Sequence, residues 1–202
     1  MMQRTLATSL ALMLLAGVIT GCGGPKALPP ESVAAPVEPA PSGNTDQARL
    51  KDALTGREMP AGEVADLSDR LLADNNALND QETMARLELL ILKTLKSQDK
   101  TGRSTLWRNL GIIHYRQKKF KQARQELQAA NELNPKNART HFFLACLFAQ
   151  QGKIYEKQGK KRIARQQFKR AAIEMEQARK LEPHNGLYKQ DPKEIVQQEN
   201  GK

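Results

Sequence analysis

The chain has 202 residues, of which 39% are hydrophobic, 27% are charged and only 4% are aromatic. These values suit one solvated helical domain with a core of Leu, Ala and Ile, and they do not suit a compact β-sandwich. The net charge of +10 favours acidic partners, such as lipid headgroups, anionic glycans, nucleic acid or an acidic protein.

The first 21 residues have the pattern of a targeting segment. Arg4 gives a positive start, residues 6–16 form an apolar run, and small residues follow. A bilayer-spanning helix needs about twenty apolar residues, so this run is too short to be one. We therefore interpret residues 1–21 as a signal peptide and exclude them from the fold.

The end of this segment, Ile19-Thr20-Gly21-Cys22, resembles the lipobox of bacterial lipoproteins. The resemblance implies lipidation of the Cys22 sulfur, cleavage before it and acylation of the new N-terminus, for example with palmitate. Several acyl chains together give a stable membrane anchor. Gly23 stands where inner-membrane retention signals carry Asp, so we expect the outer membrane, facing the periplasm, rather than the cell membrane. An ordinary signal peptide that ends near a cysteine is the alternative.

Residues 22–45 then predict a linker that starts at the lipidated cysteine. The segment shows no helical or alternating pattern, and it is rich in proline, which favours extended polyproline conformations and a semi-rigid spacer. Its prolines are Pro25, Pro29, Pro30, Pro36, Pro39 and Pro41.

From residue 46 onward the apolar spacing is helical, and no run of alternating β-branched residues occurs. Leu50 and Leu54 predict a short helix before Gly56, and residues 64–72 predict a second helix. Residues 84–95 predict a third, strongly apolar helix that ends before Gly102. The sequence therefore predicts an all-α fold, with residues 46–103 as a first helical region.

A spaced pattern resembling the tetratricopeptide repeat, a pair of antiparallel helices, occupies residues 104–137. It consists of Trp107, Leu110, Gly111, Phe120, Ala123, Leu127, Ala130, Leu133 and Pro135. Gly111 and Ala123 are small where the two helices cross, and Pro135 ends the second helix. The chain departs from the family at His114, where a tyrosine is usual, and at Lys118, where the turn usually has a glycine.

Residues 138–184 repeat this ending, but Pro183 follows Pro135 by 48 residues instead of 34. We expect an elongated hairpin with helices at about 138–158 and 161–182, N-capped by Asn137 and turning at Gly159. Gly152 inside the first helix would cost about 1 kcal/mol relative to Ala. The competing layout ends that helix at Gly152 and loops out the extra residues.

Two further segments would complete the stack, because a repeat buries its core only against neighbours. Residues 66–97 are compatible with a degenerate first repeat in which Ala85, Leu89, Leu92 and Leu95 have second-helix spacing. In the tail, residues 185–202, a short capping helix is expected at about 192–199. The resemblance implies hairpins stacked as a short right-handed solenoid, with the last hairpin elongated.

The sequence contains no constellation that would indicate catalysis, a cofactor or a metal site, so we do not expect an enzyme, although an uncharacterised enzyme remains the third reading. The three histidines lack ligand spacing, and there are no paired cysteines. His141 takes the place of Trp107 in the second repeat, which favours a packing role. Cys146 lies in an apolar run and is interpreted as a small buried side chain.

In this family the first helices line a concave groove that binds proteins, so the resemblance implies a protein partner, as a peptide or helix with acidic flanks. Ile112 and Phe143 replace the asparagine and basic residue of the known carboxylate clamp, so that clamp is not supported. The corresponding groove residues are Thr105, Arg108, Ile112, Tyr115 and Arg116 in the first repeat and Arg139, Phe142, Cys146, Ala149 and Gln150 in the second.

A second candidate surface is a basic patch without an acidic residue, at the tip and outer face of the long hairpin. It supports an alternative function, an adaptor for an anionic envelope polymer or lipid headgroups, or it is simply a solvated face. No aromatic stacking platform accompanies it, so we do not expect a nucleic-acid partner. The patch comprises Lys160, Lys161, Arg162, Arg165, Lys169 and Arg170. The leading hypothesis is a membrane-anchored scaffold for envelope assembly, of the pilus, secretion or outer-membrane type.

Overall fold

Helices and short connections account for the described part of the chain, residues 44–56 and 58–200 of this computed structural model, and no β-strand occurs there. These residues belong to one compact unit, residues 40–202. The predicted signal peptide, Cys22 and most of the predicted linker lie outside the described residues. The helices are α1 (Asn44–Thr55), α2 (Ala61–Leu71), α3 (Asn75–Asn79), α4 (Gln81–Leu95), α5 (Arg103–Arg116), α6 (Phe120–Leu133), α7 (Ala138–Lys157), α8 (Lys161–Leu181) and α9 (Pro192–Asn200), with a 3-10 turn at Gly186–Lys189.

Side-chain caps fix the starts of the N-terminal helices. The Asp80 carboxylate accepts hydrogen bonds from the amides of Glu82 and Thr83 at the start of α4. The Asp99 carboxylate accepts a hydrogen bond from the Ala61 amide at 3.2 Å. Asp99 lies in the loop after α4, and from there it caps the start of α2. The same carboxylate accepts from the Thr101 amide, and these backbone hydrogen bonds lower the pKa of Asp99. α2 is therefore tied to the loop that precedes α5.

The inward face of α4 differs from the predicted one. Met84, Leu87 and Ile91 are buried and pack in the same core as α1 and α2. Leu89 is 59% exposed and Leu92 is 37% exposed, and Ala85 is exposed as well. The predicted second-helix register of a degenerate repeat at 66–97 is therefore wrong. α4 carries two apolar stripes, and burial selected the one that faces α1, α2 and α5.

α5 and α6 form the predicted first hairpin. Leu110 and Leu127 are fully buried between the helices. A Cβ added to Gly111 would lie 2.7 Å from a Leu127 side-chain carbon, so only glycine permits this close crossing. Lys118 in the turn adopts φ +61°, the left-handed conformation for which glycine is usual.

α7 and α8 form the predicted elongated second hairpin, and the competing layout that ends the first helix at Gly152 is wrong. The helices end within one residue of their predicted bounds, and Gly159 turns the chain at φ +73°. The Asn137 side chain caps α7 by accepting from the Thr140 amide at 2.9 Å. Gly152 is required because an added Cβ would lie 2.6 Å from the Phe168 ring.

The C-terminal segment closes the stack as expected. After the 3-10 turn, α9 packs against α7 and α8, with Val196 fully buried. The buried residues of all these elements form one continuous core from Leu50 to Val196 and a small second cluster around Met175 and Tyr188. The architecture is an all-α stack of helical hairpins whose two ends are covered by other helices of the chain. Across residues 44–56 and 58–200, none of the helices combines the length and apolar character that crossing a bilayer requires.

Candidate protein-binding face

The predicted groove arginine Arg108 lies inside the fold, where it joins α5 to α2. Its side chain is 5% exposed, and its guanidinium donates to the Asp69 carboxylate and, at 3.0 Å, to the Asn109 amide oxygen. Asn109 is fully buried and donates to Ser68 Oγ at 2.7 Å and to Asp69 at 2.9 Å. Because every polar group of this buried cluster has a partner, the network specifies how α2 docks.

Arg139 reaches the same carboxylate from α7. Its guanidinium donates to the Leu72 carbonyl at 3.0 Å and lies 3.5 Å from Asp69. Burial, reinforced by the neighbouring charge of Arg108, lowers the pKa of Arg139, although Asp69 opposes the effect. Two of the predicted groove cations therefore converge on one carboxylate of the chain itself.

The remaining first-repeat positions are mostly covered. Ile112 is 1% exposed, and Tyr115 is buried with its ring 5.9 Å from that of Phe143. Thr105 is half-buried, whereas Arg116 is exposed. Binding of a partner through these positions stays a prediction, but in this structure Arg108, Ile112 and Tyr115 are core residues and Arg116 is the first-repeat position that is open.

The chain's own C-terminal segment covers the second-repeat positions. The Tyr188 ring lies 5.3 Å from that of Phe142, and Arg179 donates to the Tyr188 carbonyl at 3.2 Å. Burial raises the pKa of Tyr188 to about 12. Cys146 and Ala149, which are buried, belong to the same core cluster as Val196 of α9, while Gln150 is half-buried. The segment thus packs where the resemblance places a bound peptide.

A pocket remains open at the C-terminal end of α5. Leu78 and Met84 contribute apolar surface, and Arg116 and Gln117 contribute polar groups. The Gln117 amide nitrogen donates to Glu88 at 2.8 Å, while its buried oxygen accepts no hydrogen bond from any residue between 44 and 200 that the structure describes. Because this oxygen has almost no accessible surface, the groups that the pocket offers to a partner are its apolar side chains and Arg116.

Both helix-borne histidines bridge acceptors. His114 Nδ1 lies 2.6 Å from Glu126, and Nε2 lies 3.1 Å from Glu88. Burial opposes its charge, but the two carboxylates outweigh burial and raise the pKa of His114. His141 lies 2.7 Å from Glu174 and 2.9 Å from the Pro135 carbonyl, and the Glu174 hydrogen bond raises its pKa. The packing role expected for His141 therefore includes a partly buried hydrogen bond to a carboxylate.

The six residues of the predicted basic patch are all exposed, and the long hairpin places them on its turn and on α8. A neighbouring cation adds to them. Arg124 of α6 and Arg170 of α8 lie 5.6 Å and 5.9 Å from the centroid of the same Phe148 ring. Sequence reasoning did not predict Arg124 as part of this surface, because nothing in the chain order places it beside α8.

Among the described residues, no group of His, Cys, Asp and Glu side chains could hold a metal ion. The side chains that sequence reasoning missed are instead structural: Asp69, Glu88, Glu126 and Tyr188 complete networks whose partners lie in other helices. These arrangements dock the chain's own helices on one another.

The fold and these contacts define the class of an all-α protein built from stacked helical hairpins. Within it, residues 104–137, which comprise α5, α6 and the loop that follows, match the tetratricopeptide repeat family. The chain therefore contains a tetratricopeptide repeat. Repeats of this family are typically non-catalytic and generally bind other proteins or peptides, which points to a protein–protein interaction scaffold. A comparison with curated proteins gave no match.

Proposed function

We propose that the protein is a membrane-tethered scaffold that binds another protein in the bacterial envelope, at the outer membrane and facing the periplasm. The observation that carries the proposal is the tetratricopeptide repeat at 104–137 within a larger helical stack. The Ile19-Thr20-Gly21-Cys22 pattern supports the tether, and the anchor consists of acyl chains on Cys22.

The partner's contact surface is the pocket at the C-terminal end of α5. It joins an apolar floor, Leu78 and Met84, to the exposed cation Arg116. These groups suit a peptide segment that carries an apolar side chain and an acidic flank. The rest of the concave face is covered by α2 and by the C-terminal segment, so the pocket is the accessible part of that face.

Site-specific photo-crosslinking in cells tests the contact surface. A crosslinking residue in place of Gln81, an exposed residue at the pocket, should trap one defined partner, and the same residue in place of Gln128 on α6 should not. Arg116→Glu should abolish the product, whereas Lys136→Glu, an equal charge change in the loop at the other end of the hairpin, should preserve it. Equal products at Gln81 and Gln128, or a product insensitive to Arg116→Glu, would contradict the proposal.

Metabolic labelling tests the tether independently. The wild-type chain should incorporate radioactive palmitate and sediment with outer membranes, and Cys22→Ala should lose both properties. Cys146→Ala is the matched control. Because Cys146 is buried, we expect it to carry no palmitate, so this variant should be labelled as strongly as the wild-type chain. Labelling that persists in Cys22→Ala would refute the tether while leaving the crosslinking result interpretable.

A further inference from the structure

The positive charge of the chain is concentrated in its two hairpins. Residues 151–173 contain eight Lys and Arg residues and a single acid, Glu156, and residues 111–125 contain five Lys and Arg residues and no acid. Residues 44–100, by contrast, contain eight Lys and Arg residues against eleven Asp and Glu residues. These hairpin segments are therefore strongly basic, while the N-terminal helical segment is weakly acidic.

Packing joins these two basic segments into one surface. Arg124 from the first hairpin and Arg170 from the second contact a shared neighbour, because their guanidinium carbons both lie within 6 Å of the Phe148 ring centroid. The surface, here named the basic edge, has no salt bridge to any residue within the described ranges. The basic edge consists of Lys118, Lys121, Arg124, Lys160, Lys161, Arg162, Arg165, Lys169 and Arg170.

Three features of the basic edge indicate what it binds. First, its cations are spread over two helices and two turns, which fits an extended array of phosphates better than a single anion. Second, Ile173, one turn beyond Lys169 on α8, is 51% exposed, so an apolar side chain adjoins the cations. Third, none of the strongly exposed hydrophobic residues in the described chain is aromatic, so a base-stacking platform is lacking there. Cations beside an exposed aliphatic group match the boundary between headgroups and acyl chains.

The geometry points to an interaction of the basic edge with the anionic phospholipid headgroups of a membrane surface. The inference rests on the proposed function in one respect, the lipid tether. Between Cys22 and Asn44 the chain has 21 residues, which can span at most about 75 Å, so a tether would keep the basic edge at a high local concentration near the bilayer. The cations then hold the stack against the membrane.

Vesicle flotation of the full-length Cys22→Ser chain tests this surface without a lipid anchor. The chain should float with vesicles that contain phosphatidylglycerol more than with pure phosphatidylcholine vesicles, and high salt should remove the difference. Arg165→Glu with Lys169→Glu should weaken the phosphatidylglycerol-dependent binding by at least about tenfold. The matched control, Lys93→Glu with Lys96→Glu, changes exposed α4 residues by the same total charge and should retain binding within about twofold.

Circular dichroism of both double variants checks that they fold, and Lys161→Gln with Arg162→Gln at the hairpin turn gives a milder variant that should lose binding by a smaller factor. Equal flotation with both vesicle types, or equal losses in the basic-edge and control variants, would overturn the inference. Stronger retention on duplex DNA or on polyphosphate than on phosphatidylglycerol vesicles would overturn it too, in favour of another polyanion. The flotation assay uses a chain without Cys22. A negative flotation result therefore leaves the palmitate-labelling and crosslinking tests unaffected.

Discussion

Replacing Asp69 by Asn should lower the free energy of unfolding by about 2 kcal/mol. The Asp69 carboxylate accepts from Arg108 and Asn109 and lies 3.5 Å from Arg139, so among the described residues it is the acid that forms salt bridges with both guanidinium groups. Removing its charge leaves Arg108, which is 5% exposed, as a buried cation without a counterion.

The magnitude follows from how much of the pair is buried. Breaking a fully buried ion pair by removing one partner costs about 3–5 kcal/mol. The Asp69 side chain is 39% exposed, so water already stabilises part of its charge, and asparagine preserves its volume and one acceptor. Both facts reduce the expected loss in the free energy of unfolding to about 2 kcal/mol.

Urea denaturation followed by circular dichroism measures the change, with Asp66→Asn as the control, because Asp66 is an exposed acid one turn earlier on α2. The midpoint should fall for Asp69→Asn at an unchanged slope, and it should stay near the wild-type value for Asp66→Asn. Fluorescence of Trp107, the only tryptophan of the chain, reports on α5 directly. If Asp69→Asn and Asp66→Asn lower the free energy of unfolding by amounts that agree to within about 0.5 kcal/mol, the network does not dock α2.

Three further changes probe the hairpins and their histidines. Gly152→Ala should destabilise the fold by about 1–2 kcal/mol despite the helix preference of alanine, because the new Cβ would lie 2.6 Å from the Phe168 ring. Adding Phe168→Leu should recover part of this loss, and no recovery would argue against the clash. Lys118→Gly should stabilise the fold by about 0.5–1 kcal/mol, because glycine adopts the left-handed backbone conformation of this turn without strain. Gly159→Ala at the equivalent turn should destabilise the fold by about 1 kcal/mol. Chemical denaturation measures both changes, and effects of the same sign would refute this account. Because the pKa of His141 is raised in the folded state, the stabilisation from protonated His141 is complete below the ordinary pKa of 6.5 and is lost as the pH rises through the folded-state pKa. Denaturation midpoints should therefore fall above about pH 6.5, and His141→Asn should make that fall shallower. An unchanged pH dependence in this variant would exclude His141 as the source of the fall.

Local patterns predicted the hairpins because helix spacing, small residues at crossings and turn residues are all encoded within a few positions. The elongated α7 and α8 followed from the displacement of one proline and one glycine. The candidate site was less predictable, because its partners are distant in sequence. Asp69 lies 39 residues before Arg108, and neither spacing nor charge pattern indicates that they meet.

The α4 register shows a second limit of sequence reasoning. Leu89 and Leu92 have the same helical spacing as the residues that are buried, and intrinsic hydrophobicity does not distinguish the two stripes. Only the positions of α1, α2 and α5 decide between them, because burial depends on the neighbours that a helix finds. The same holds for Tyr188, a tail residue whose importance comes from the Phe142 ring beneath it.

The number of hairpins explains why the concave face is largely covered. A stack of two hairpins leaves both end surfaces apolar, and such units gain stability only from neighbours. Here α2 covers one end through Asp69, and the 3-10 turn with α9 covers the other through Tyr188 and Val196. Both covers also reach the inner helix faces, since Arg108 and Arg139 turn toward α2 and Phe142 turns toward Tyr188. A short stack therefore stabilises itself with the surface that a longer one leaves open to a ligand. The proposed partner and membrane contacts accordingly use surfaces that the covers do not reach, the pocket beside Arg116 and the basic edge.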